Sequence, residues 1–362
     1  MEKQTNVKYS IIAETLKKRI IEGTLKSGDQ IPSENELCKE YGVSRHTVRK
    51  ALSVLINEQY LLPIHGKGTF CTDKYLRSYP SNNIGVITTY ISDYIFPHII
   101  RGIDLVLERE GYSIILKNTA NNQVMEAKCL EDILSKNIDG LIIEPSKSEI
   151  FNRNKLLFKQ LEEMKIPYVF MQGVYLGMED KPSVVLNDIK GGYLATRHLL
   201  ELNHKNIIGI FKIDDNQGTG RHKGYIQALT EFGVYYDPLR AICFHTEDRK
   251  TKPAAALKHI LDTGMEIDGI VCYNDQIALT VFKTLQERNI RVPQDISIVG
   301  YDNSFIAENN SIRFTSVNHP KEEFGIQTAE LLLEMIRNPE NKTDIHRVIE
   351  PELIIGDSCI QR

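Results

Sequence analysis

Apolar and polar positions along the chain follow two different patterns. Near the start, apolar residues recur at the period of an α-helix: Ile12, Leu16 and Ile20 predict a helix that ends before Gly23. From Ile84 onward, short apolar runs alternate with amphipathic stretches, which is typical of strands and helices in βαβ units. The change of pattern predicts two domains of different architecture.

Two further helices in the first part of the chain are marked by their capping residues. Ser33 and Glu36 have the spacing of a capping box, so a second helix is predicted to begin at Ser33. Gly42 ends it, and Ser44 can cap a third helix through its hydroxyl. The inward face of that third helix consists of Val48, Ala51, Leu52 and Leu55.

A β-hairpin is predicted after the third helix. Two short β-prone runs, residues 60–64 and 69–71, flank a tip that contains Gly66 and Gly68. Because glycine adopts unusual backbone conformations without strain, this hairpin can turn tightly and approach a phosphate backbone, where Lys67 supplies positive charge. Three short helices followed by such a hairpin are typical of a winged helix-turn-helix.

The third helix also carries arginines on its outward side. Arg45 and Arg49 are one turn apart, so their guanidinium groups project together. Both arginines lie in the N-terminal half of the third helix. In a helix-turn-helix that half enters the major groove, where an arginine can donate two hydrogen bonds to guanine. An exposed arginine pair is more often a solvated face, so the pair by itself is weak evidence for a DNA contact.

The distribution of charge separates the two parts of the chain. Residues 1–77 hold 13 Lys and Arg against 9 Asp and Glu, a net charge of +4. The whole chain has a net charge of −4, so the remaining residues have a net charge of −8. A basic head on an acidic body points to an anionic partner for the head alone.

Three stretches of the head, residues 31–37, 41–52 and 66–70, resemble the DNA-binding domain of the gluconate-repressor (GntR) family. The resemblance implies a dimer whose third helices read adjacent half-sites and whose wings contact the minor groove or the backbone. The predicted DNA contacts are Ser33, Glu34, Ser44, Arg45, His46, Thr47, Arg49, Lys50, His65, Gly66, Lys67 and Gly68.

Seven strands are predicted in the second part, at residues 84–88, 112–116, 140–143, 168–170, 207–211, 269–272 and 297–300. Ligands of parallel sheets bind in the crevice at the carboxyl ends of the strands, so polar and aromatic residues that follow a strand are candidates. Carboxylates, amides and arginine suit sugar hydroxyls, and aromatic rings can stack on a sugar. The alternative for each residue is a helix cap or a solvated loop group, and Asp275 fits a cap equally well. The candidates are Asp93, Tyr94, Phe96, His98, Glu144, Gln172, Gln217, Arg221, Asn274, Asp275 and Asp302.

The same part of the chain resembles the sensor domains of the lactose and galactose repressors, which are related to periplasmic sugar-binding proteins. The matching stretches are residues 191–199, 221–225, 273–278, 292–303 and 315–319. The resemblance implies a two-lobed α/β domain in which Arg221, Asn274 and Asp302 contact sugar hydroxyls, with His319 at a further contact position. The predicted effector site is Tyr94, Phe96, His98, Glu144, Gln172, Arg221, Asn274, Asp302 and His319.

The chain departs from that second family in its linker and its tail. Residues 72–82 show no helical pattern where the lactose-repressor family has a hinge helix, and Gly356 stands where an arginine is usual. A GntR-type head on such a body resembles the arabinose repressors of Gram-positive bacteria, which implies L-arabinose as the effector. The predicted organisation is a winged helix-turn-helix at residues 1–71, a linker, and an effector-binding and dimerisation domain at residues 83–362.

Other classes of protein are disfavoured. The sequence has no nucleophile elbow, zinc-protease motif, phosphate loop or dinucleotide fingerprint, so an enzyme is not expected. The start lacks an apolar signal segment, which favours a cytoplasmic protein over an exported sugar-binding protein. The six cysteines lack the spacing of a zinc site, so neither a metal nor a cofactor is expected.

The identity of the effector stays open among a free pentose, another monosaccharide such as a hexose, and a sugar phosphate. A phosphate needs several donors and no nearby carboxylates. Glu144 and Asp302 in the predicted crevice therefore favour a neutral sugar. The sequence leaves open whether the sugar releases or recruits DNA.

Overall fold

The computed structural model describes residues 2–21, 23–58, 60–64, 66–72, 81–92, 94–308, 311–340 and 344–362, without the side chains of residues 2–7 and 21. The chain divides into two compact units, Met1–Ser81 with Gln160–Lys165, and Asn82–Lys159 with Ile166–Arg362. Residues 73–80, the greater part of the expected linker, lie outside the described residues. The domain boundaries given above stay a prediction.

The first unit is a winged helix-turn-helix, as the sequence predicts. Its elements are α1 (Glu2–Ile21), α2 (Glu34–Tyr41), α3 (Arg45–Asn57), β1 (Leu61–Ile64) and β2 (Gly68–Cys71). The two strands pair antiparallel. The predicted inward residues of α1 and α3 form one core, in which Leu16, Val48 and Leu55 are fully buried. Burial of these apolar stripes, each spaced at the helical period, holds the three helices together.

The capping prediction for α2 is confirmed. The Ser33 hydroxyl accepts a hydrogen bond from the backbone N–H of Glu36, and the Glu36 carboxylate accepts one from the backbone N–H of Ser33 at 2.8 Å. Ser44 likewise accepts from the backbone N–H of Thr47 at the start of α3. Each helix therefore begins one residue after its serine, because the serine is the cap itself.

The second unit contains two lobes, each built on a six-stranded sheet. The strands of the first lobe are β3 (Asn83–Thr88), β4 (Ser113–Asn118), β5 (Gly140–Ile143), β6 (Tyr168–Met171), β7 (Ser183–Leu186) and β13 (His346–Ile349). Its helices are α4 (Phe96–Arg109), α5 (Gln123–Leu134), α12 (Lys321–Arg337) and α6 (Lys155–Glu163), of which the residues up to Lys159 belong to this unit. The strand order is β13-β7-β6-β5-β3-β4, and all pairs are parallel.

The second lobe repeats this architecture. Its strands are β8 (Ile207–Lys212), β9 (Ala241–Phe244), β10 (Gly269–Cys272), β11 (Ser297–Asp302), β12 (Thr315–Asn318) and β14 (Glu352–Ile354). Its helices are α7 (Asp188–Glu201), α8 (Asn216–Glu231), α9 (Lys252–Asp262), α10 (Asp275–Glu287) and α11 (Phe305–Glu308). The order is β14-β12-β11-β10-β8-β9, and only β14 pairs antiparallel in it. Apolar clusters cover both faces of this sheet, as a parallel sheet requires.

The chain passes between the two lobes three times, after β7, after β12 and after β13. The seven predicted strands are all present, with ends that differ by one or two residues. Five further strands, β7, β9, β12, β13 and β14, are not among those seven. Each has at least one partly buried position, so it lacks the continuous buried apolar run of the equally short β5, β6 and β10.

Within the described residues, no helix combines the length and the apolar character needed to cross a membrane. All six cysteines are free thiols. Among the same residues there is no group of His, Cys, Asp and Glu side chains that could hold a metal ion.

Candidate ligand cavity and nucleic-acid interface

The two arginines on the outward side of α3 are exposed and are held by residues of α2. Arg45 donates two hydrogen bonds to the side-chain oxygen of Asn35, at 3.0 and 2.6 Å. The Nε of Arg49 donates to the Glu34 carboxylate at 2.9 and 3.0 Å. Because exposed pairs of this kind contribute little net stability, both guanidinium groups can exchange these partners for DNA. The sequence analysis missed Asn35, whose proximity to Arg45 depends on the angle between the two helices.

The other predicted contacts on α3 differ in exposure. His46 and Lys50 are exposed, and the ammonium of Lys50 lies 4.2 Å from the centre of the Tyr9 ring. Thr47 is only 4% exposed, and its hydroxyl is 3.0 Å from that of Ser44. The prediction of Thr47 as a DNA contact is therefore corrected, because its side chain faces the domain interior.

The tip of the hairpin is shaped by its glycines. Gly66 and Gly68 have φ angles of +74° and +119°. A Cβ atom on Gly68 would lie 2.3 Å from the amide nitrogen of Gln30, which donates a hydrogen bond to the Lys67 carbonyl at 3.0 Å. The flexible Gln30 side chain can move, so the positive φ angle is the reason for glycine at position 68. Lys67 is exposed, and His65 lies outside the described residues.

In the second unit, a cavity of about 110 Å³ lies between the lobes, beyond the carboxyl ends of the strands. Eight of the nine predicted effector residues line it, namely Tyr94, Phe96, Glu144, Gln172, Arg221, Asn274, Asp302 and His319. Further polar and aromatic lining residues are Thr89, Tyr90, Asn121, Lys212, Asp215, Gln217, Phe244, Arg249, Tyr273 and Gln276. The rule that ligands bind beyond the carboxyl ends of parallel strands therefore locates the cavity. The role of each side chain as a ligand contact stays a prediction.

His98 is the exception. It is exposed on α4 and lines a separate cavity of about 520 Å³, whose other residues include Lys321 and Glu322. Phe96 begins α4 and faces the first cavity; two residues further on, a helix has turned by roughly 200°. His98 is therefore directed away from the first cavity, and its assignment to the effector site is corrected. Asp93, the neighbouring candidate, lies outside the described residues.

Arg221 is the most highly coordinated charge at the cavity. Its Nε donates to Asp188 at 2.8 Å, and its Nη1 donates to the Tyr273 carbonyl at 2.6 Å. Its Nη2 lies 3.7 Å from an oxygen of Asp302, and the guanidinium is 3.6 Å from the centre of the Tyr301 ring. A buried charge is tolerated only with such partners, so this network fixes the direction of Arg221.

Burial shifts the pKa values of the carboxyl groups around the cavity upward. It raises the pKa of Asp302, raises that of Asp188 to about 6, and raises that of Glu144 to about 7. One Glu144 oxygen accepts hydrogen bonds from the backbone N–H and the hydroxyl of Thr89, at 2.8 and 2.6 Å. Near neutral pH Glu144 therefore exchanges between a carboxylate that accepts hydrogen bonds and an acid that can donate one.

A second charged group lies where β8 ends. Lys212 donates to Asp215 at 2.6 Å and lies 3.4 Å from Asp214, while the Tyr273 hydroxyl donates to Asp215 at 2.9 Å. The sequence analysis missed Lys212 and Asp215. Both lie within four residues of the end of the predicted strand 207–211, so the rule that ligand residues follow strands could have found them.

Asn274, and not Asp275, is the residue that caps α10. Asn274 caps α10 by accepting a hydrogen bond from the backbone N–H of Ile277 at 3.0 Å. Asp275 is the first helical residue, and its buried carboxylate accepts hydrogen bonds from Ser304 and Ser316. Asn274 thus combines a capping role with its position in the cavity lining.

Four residues that line the cavity carry a buried polar atom without a hydrogen-bond partner in the part of the chain that the structure describes. These atoms are Tyr90 Oη, Gln217 Oε1, Asp302 Oδ1 and His319 Nδ1. A buried polar group without a partner costs about 1–3 kcal/mol. Their concentration around one cavity indicates a site that a polar ligand completes.

Both lobes contact each other beside the cavity. The Tyr94 hydroxyl, from the first lobe, donates to the Tyr301 carbonyl at 3.1 Å and accepts from the backbone N–H of Asp275 at 3.2 Å. The side chain of Gln172 is 2.9 Å from His319. The lobes are therefore closed around the cavity.

A winged helix-turn-helix with two outward arginines and a two-lobed unit with a polar cavity between its lobes together define a ligand-responsive DNA-binding regulator. Residues 8–71 match the family model of bacterial regulatory proteins of the gntR family, and residues 196–359 match that of the periplasmic binding protein-like domain. Both parts of the fold expected from the sequence are thereby confirmed.

Comparison with individual proteins narrows the class. The chain is 42% identical to an arabinose metabolism transcriptional repressor of Halalkalibacterium halodurans, over 98% of this chain and 97% of that protein. It is 38% identical to the repressor of the same description from Geobacillus stearothermophilus, over 99% of each. A LacI family regulator from Enterococcus faecalis, solved with bound ribose, has a TM-score of 0.66 and 30% identity, covering 77% of this chain and 99% of that one. The chain belongs to the family of the arabinose metabolism transcriptional repressors.

Proposed function

We propose that the chain binds operator DNA as a homodimer and that a small neutral sugar, L-arabinose, releases it. The observation that carries this proposal is the cavity between the lobes, on whose lining four buried polar atoms have no hydrogen-bond partner among the described residues. Two near full-length relatives carry arabinose metabolism in their description, and a structural relative holds ribose, another pentose. We transfer the pentose class, and L-arabinose in particular, to this cavity.

The size of the cavity suits a monosaccharide. Its volume of about 110 Å³ leaves room for one small ligand rather than an oligosaccharide.

The charge of the lining supports a neutral sugar over a sugar phosphate. The ammonium of Lys212 is bonded to Asp215, and the guanidinium of Arg221 is bonded to Asp188 and lies beside Asp302. Glu144 adds a further carboxyl group to the lining. Because Lys212 and Arg221 already face carboxylates, a phosphate would meet like charges at both of these cations.

For the DNA-binding face, we assign base recognition to Arg45 and Arg49, which project together from the N-terminal half of α3. The exposed His46 and Lys50 extend the same face. Ser33, Glu34 and Ser44 position the two helices or contact phosphates, and the turn around Lys67 contacts the backbone. Phosphate contacts of this kind fix register, while the arginines carry sequence information.

Sugar and operator are expected to oppose each other. A sugar that contacts both lobes favours their closed arrangement in proportion to its differential affinity for it. If the closed dimer spaces its heads wrongly for the operator, the sugar weakens DNA binding, and the operator weakens sugar binding by the same factor.

A titration with a panel of sugars tests the effector. Isothermal calorimetry should show L-arabinose binding at least tenfold more tightly than D-ribose, D-xylose or D-galactose. These sugars place their hydroxyl groups differently or carry an additional one, and a polar site discriminates against a ligand that leaves its buried groups unpaired. Arabinose 5-phosphate should not bind, because carboxyl groups line the cavity. Preferential binding of a hexose or of the phosphate would show that the assigned effector is wrong.

The oligomeric state can be measured on the second unit. A chain that begins at Ser81 should remain a dimer in analytical ultracentrifugation at micromolar concentration, because two heads must be held over a two-fold operator. A monomer under these conditions would place the main dimer contacts in the first unit.

A further inference from the structure

Side chains of the two lobes also bond to each other at one edge of the cleft. Asn121 of the first lobe donates to the hydroxyl of Thr246 at 2.8 Å. The ammonium of Lys147 pairs with Glu247 and lies 4.0 Å from Asp214. Both contacts join a loop that follows a strand of the first lobe to a loop that follows a strand of the second.

Asn216, at the start of α8, is the centre of a second group of contacts. Its backbone N–H donates to the hydroxyl of Ser148 at 2.9 Å, and its side-chain oxygen accepts from the backbone N–H of Val174 at 2.7 Å. Its side-chain nitrogen donates to Glu149 at 2.8 Å, and Glu149 also accepts from Thr219 at 2.7 Å. One side chain thus bonds to two separate loops of the opposite lobe.

The backbone of the first lobe is shaped for these contacts. Lys147 has a φ angle of +52°, which a non-glycine residue adopts only when its surroundings hold it. The side-chain oxygen of Asn121 accepts from the backbone N–H of Lys147 at 2.8 Å, while its nitrogen reaches across to Thr246. Asn121 therefore ties the conformation of the Lys147 loop to the contact between the lobes.

Gly173 shows how close this approach is. A Cβ atom there would lie 2.7 Å from the side-chain oxygen of Asn216 and 3.3 Å from the hydroxyl of Ser148. Its φ angle is not in the left-handed region, so alanine is compatible with the backbone. A methyl group at position 173 would therefore displace the Asn216 side chain from its contacts across the cleft without straining the loop that carries Gly173.

We propose that these residues form an interlobe latch that favours the closed arrangement independently of the sugar and so sets the sugar concentration that releases the operator. The latch consists of Asn121, Lys147, Ser148, Glu149 and Val174 on the first lobe and Asn216, Thr219, Thr246 and Glu247 on the second. Of these, Asn121 lines the sugar cavity as well. The inference rests on the proposed function for the identity of the sugar.

The strength of the latch appears directly in the apparent sugar affinity. A sensor must be open in many of its molecules without sugar, since otherwise the sugar would change nothing. Under that condition, the apparent dissociation constant is inversely proportional to the closed fraction. Each lost contact should therefore weaken sugar binding by roughly fivefold, the usual net effect of one hydrogen bond.

The test measures L-arabinose binding by calorimetry in the full chain. Asn216→Ala removes two side-chain hydrogen bonds between the lobes and should weaken sugar binding at least tenfold. Gly173→Ala should do the same, because its methyl group displaces the Asn216 side chain. The double variant should bind like Asn216→Ala alone, because the oxygen that the new methyl group meets has then been removed. Independent losses of stability would instead add together.

Lys258→Ala is the matched control, since it removes an exposed pair with Glu287 that lies within the second lobe. It should leave sugar binding unchanged. Affinities of Asn216→Ala and Gly173→Ala equal to that of the unaltered chain would overturn the latch.

Hydrogen exchange separates failure of the latch from failure of the proposed effector. The Val174 amide bonds across the cleft, so its exchange in the sugar-free chain reports opening directly. Lys147→Ala, which does not alter that bond, should accelerate this exchange about threefold. If the unaltered chain does not bind L-arabinose, the effector is wrong and this exchange still decides the latch: an unchanged rate refutes it.

Discussion

Replacing Asp302 by Asn should give a chain that binds operator DNA normally but no longer responds to L-arabinose. Asp302 is 3% exposed, and its Oδ1 has no hydrogen-bond partner within the described residues, the Nη2 of Arg221 being 3.7 Å away. Hydrogen bonds from sugar hydroxyls to a carboxylate are each worth about 1.5–3 kcal/mol, so sugar affinity should fall roughly 10- to 150-fold. The measurement is operator affinity by fluorescence anisotropy, with and without L-arabinose at a concentration that saturates the unaltered protein.

The substitution should leave the fold intact for two physical reasons. Asp302 has a φ angle of +87°, a region in which asparagine is among the best tolerated residues, and the exchange preserves side-chain shape. Arg221→Gln tests the same site less cleanly. Removal of the guanidinium leaves Asp188 and Asp302 buried without their cation, which typically costs about 3–5 kcal/mol of stability.

Asp262→Asn is the matched control for Asp302→Asn. Asp262 is an exposed carboxylate of the same lobe and pairs with Arg288 on the surface. The control should respond to L-arabinose like the unaltered protein. A full response of the Asp302→Asn chain would show that the sugar binds elsewhere.

Arg45→Ala and Arg49→Ala should each weaken operator binding roughly tenfold or more while leaving sugar affinity intact. The reason is the loss of a bidentate contact to guanine, which costs about 1–3 kcal/mol. Lys67→Ala should instead weaken binding to all sequences equally and flatten its salt dependence, because it removes a phosphate contact. Titrations of operator and scrambled DNA at several salt concentrations distinguish these two results.

Lys39→Ala controls for the loss of positive charge. Lys39 is exposed in the last turn of α2 and is not among the proposed contacts. It should reduce affinity only slightly. Operator affinity of both arginine variants equal to that of the unaltered chain would remove α3 as the reading helix.

The sequence alone determined the features that depend on near neighbours. The capping box at Ser33, the Ser44 cap and the apolar stripes of α1 and α3 were read correctly because each is a pattern within one or two helical turns. The positions of seven strands followed in the same way. Parallel strands then bring their carboxyl ends to one edge, so the sequence also located the cavity lining without any distance being known.

The tertiary structure decided what depends on residues far apart in the chain. Asp188 precedes Arg221 by 33 residues, and no local pattern indicates that they pair. The inward rotation of Thr47, the outward rotation of His98 and the contacts of Asn216 with the opposite lobe are likewise set by packing between elements. Local patterns report hydrogen bonding and burial within one element, whereas the partner of a charge depends on how the elements are arranged in space.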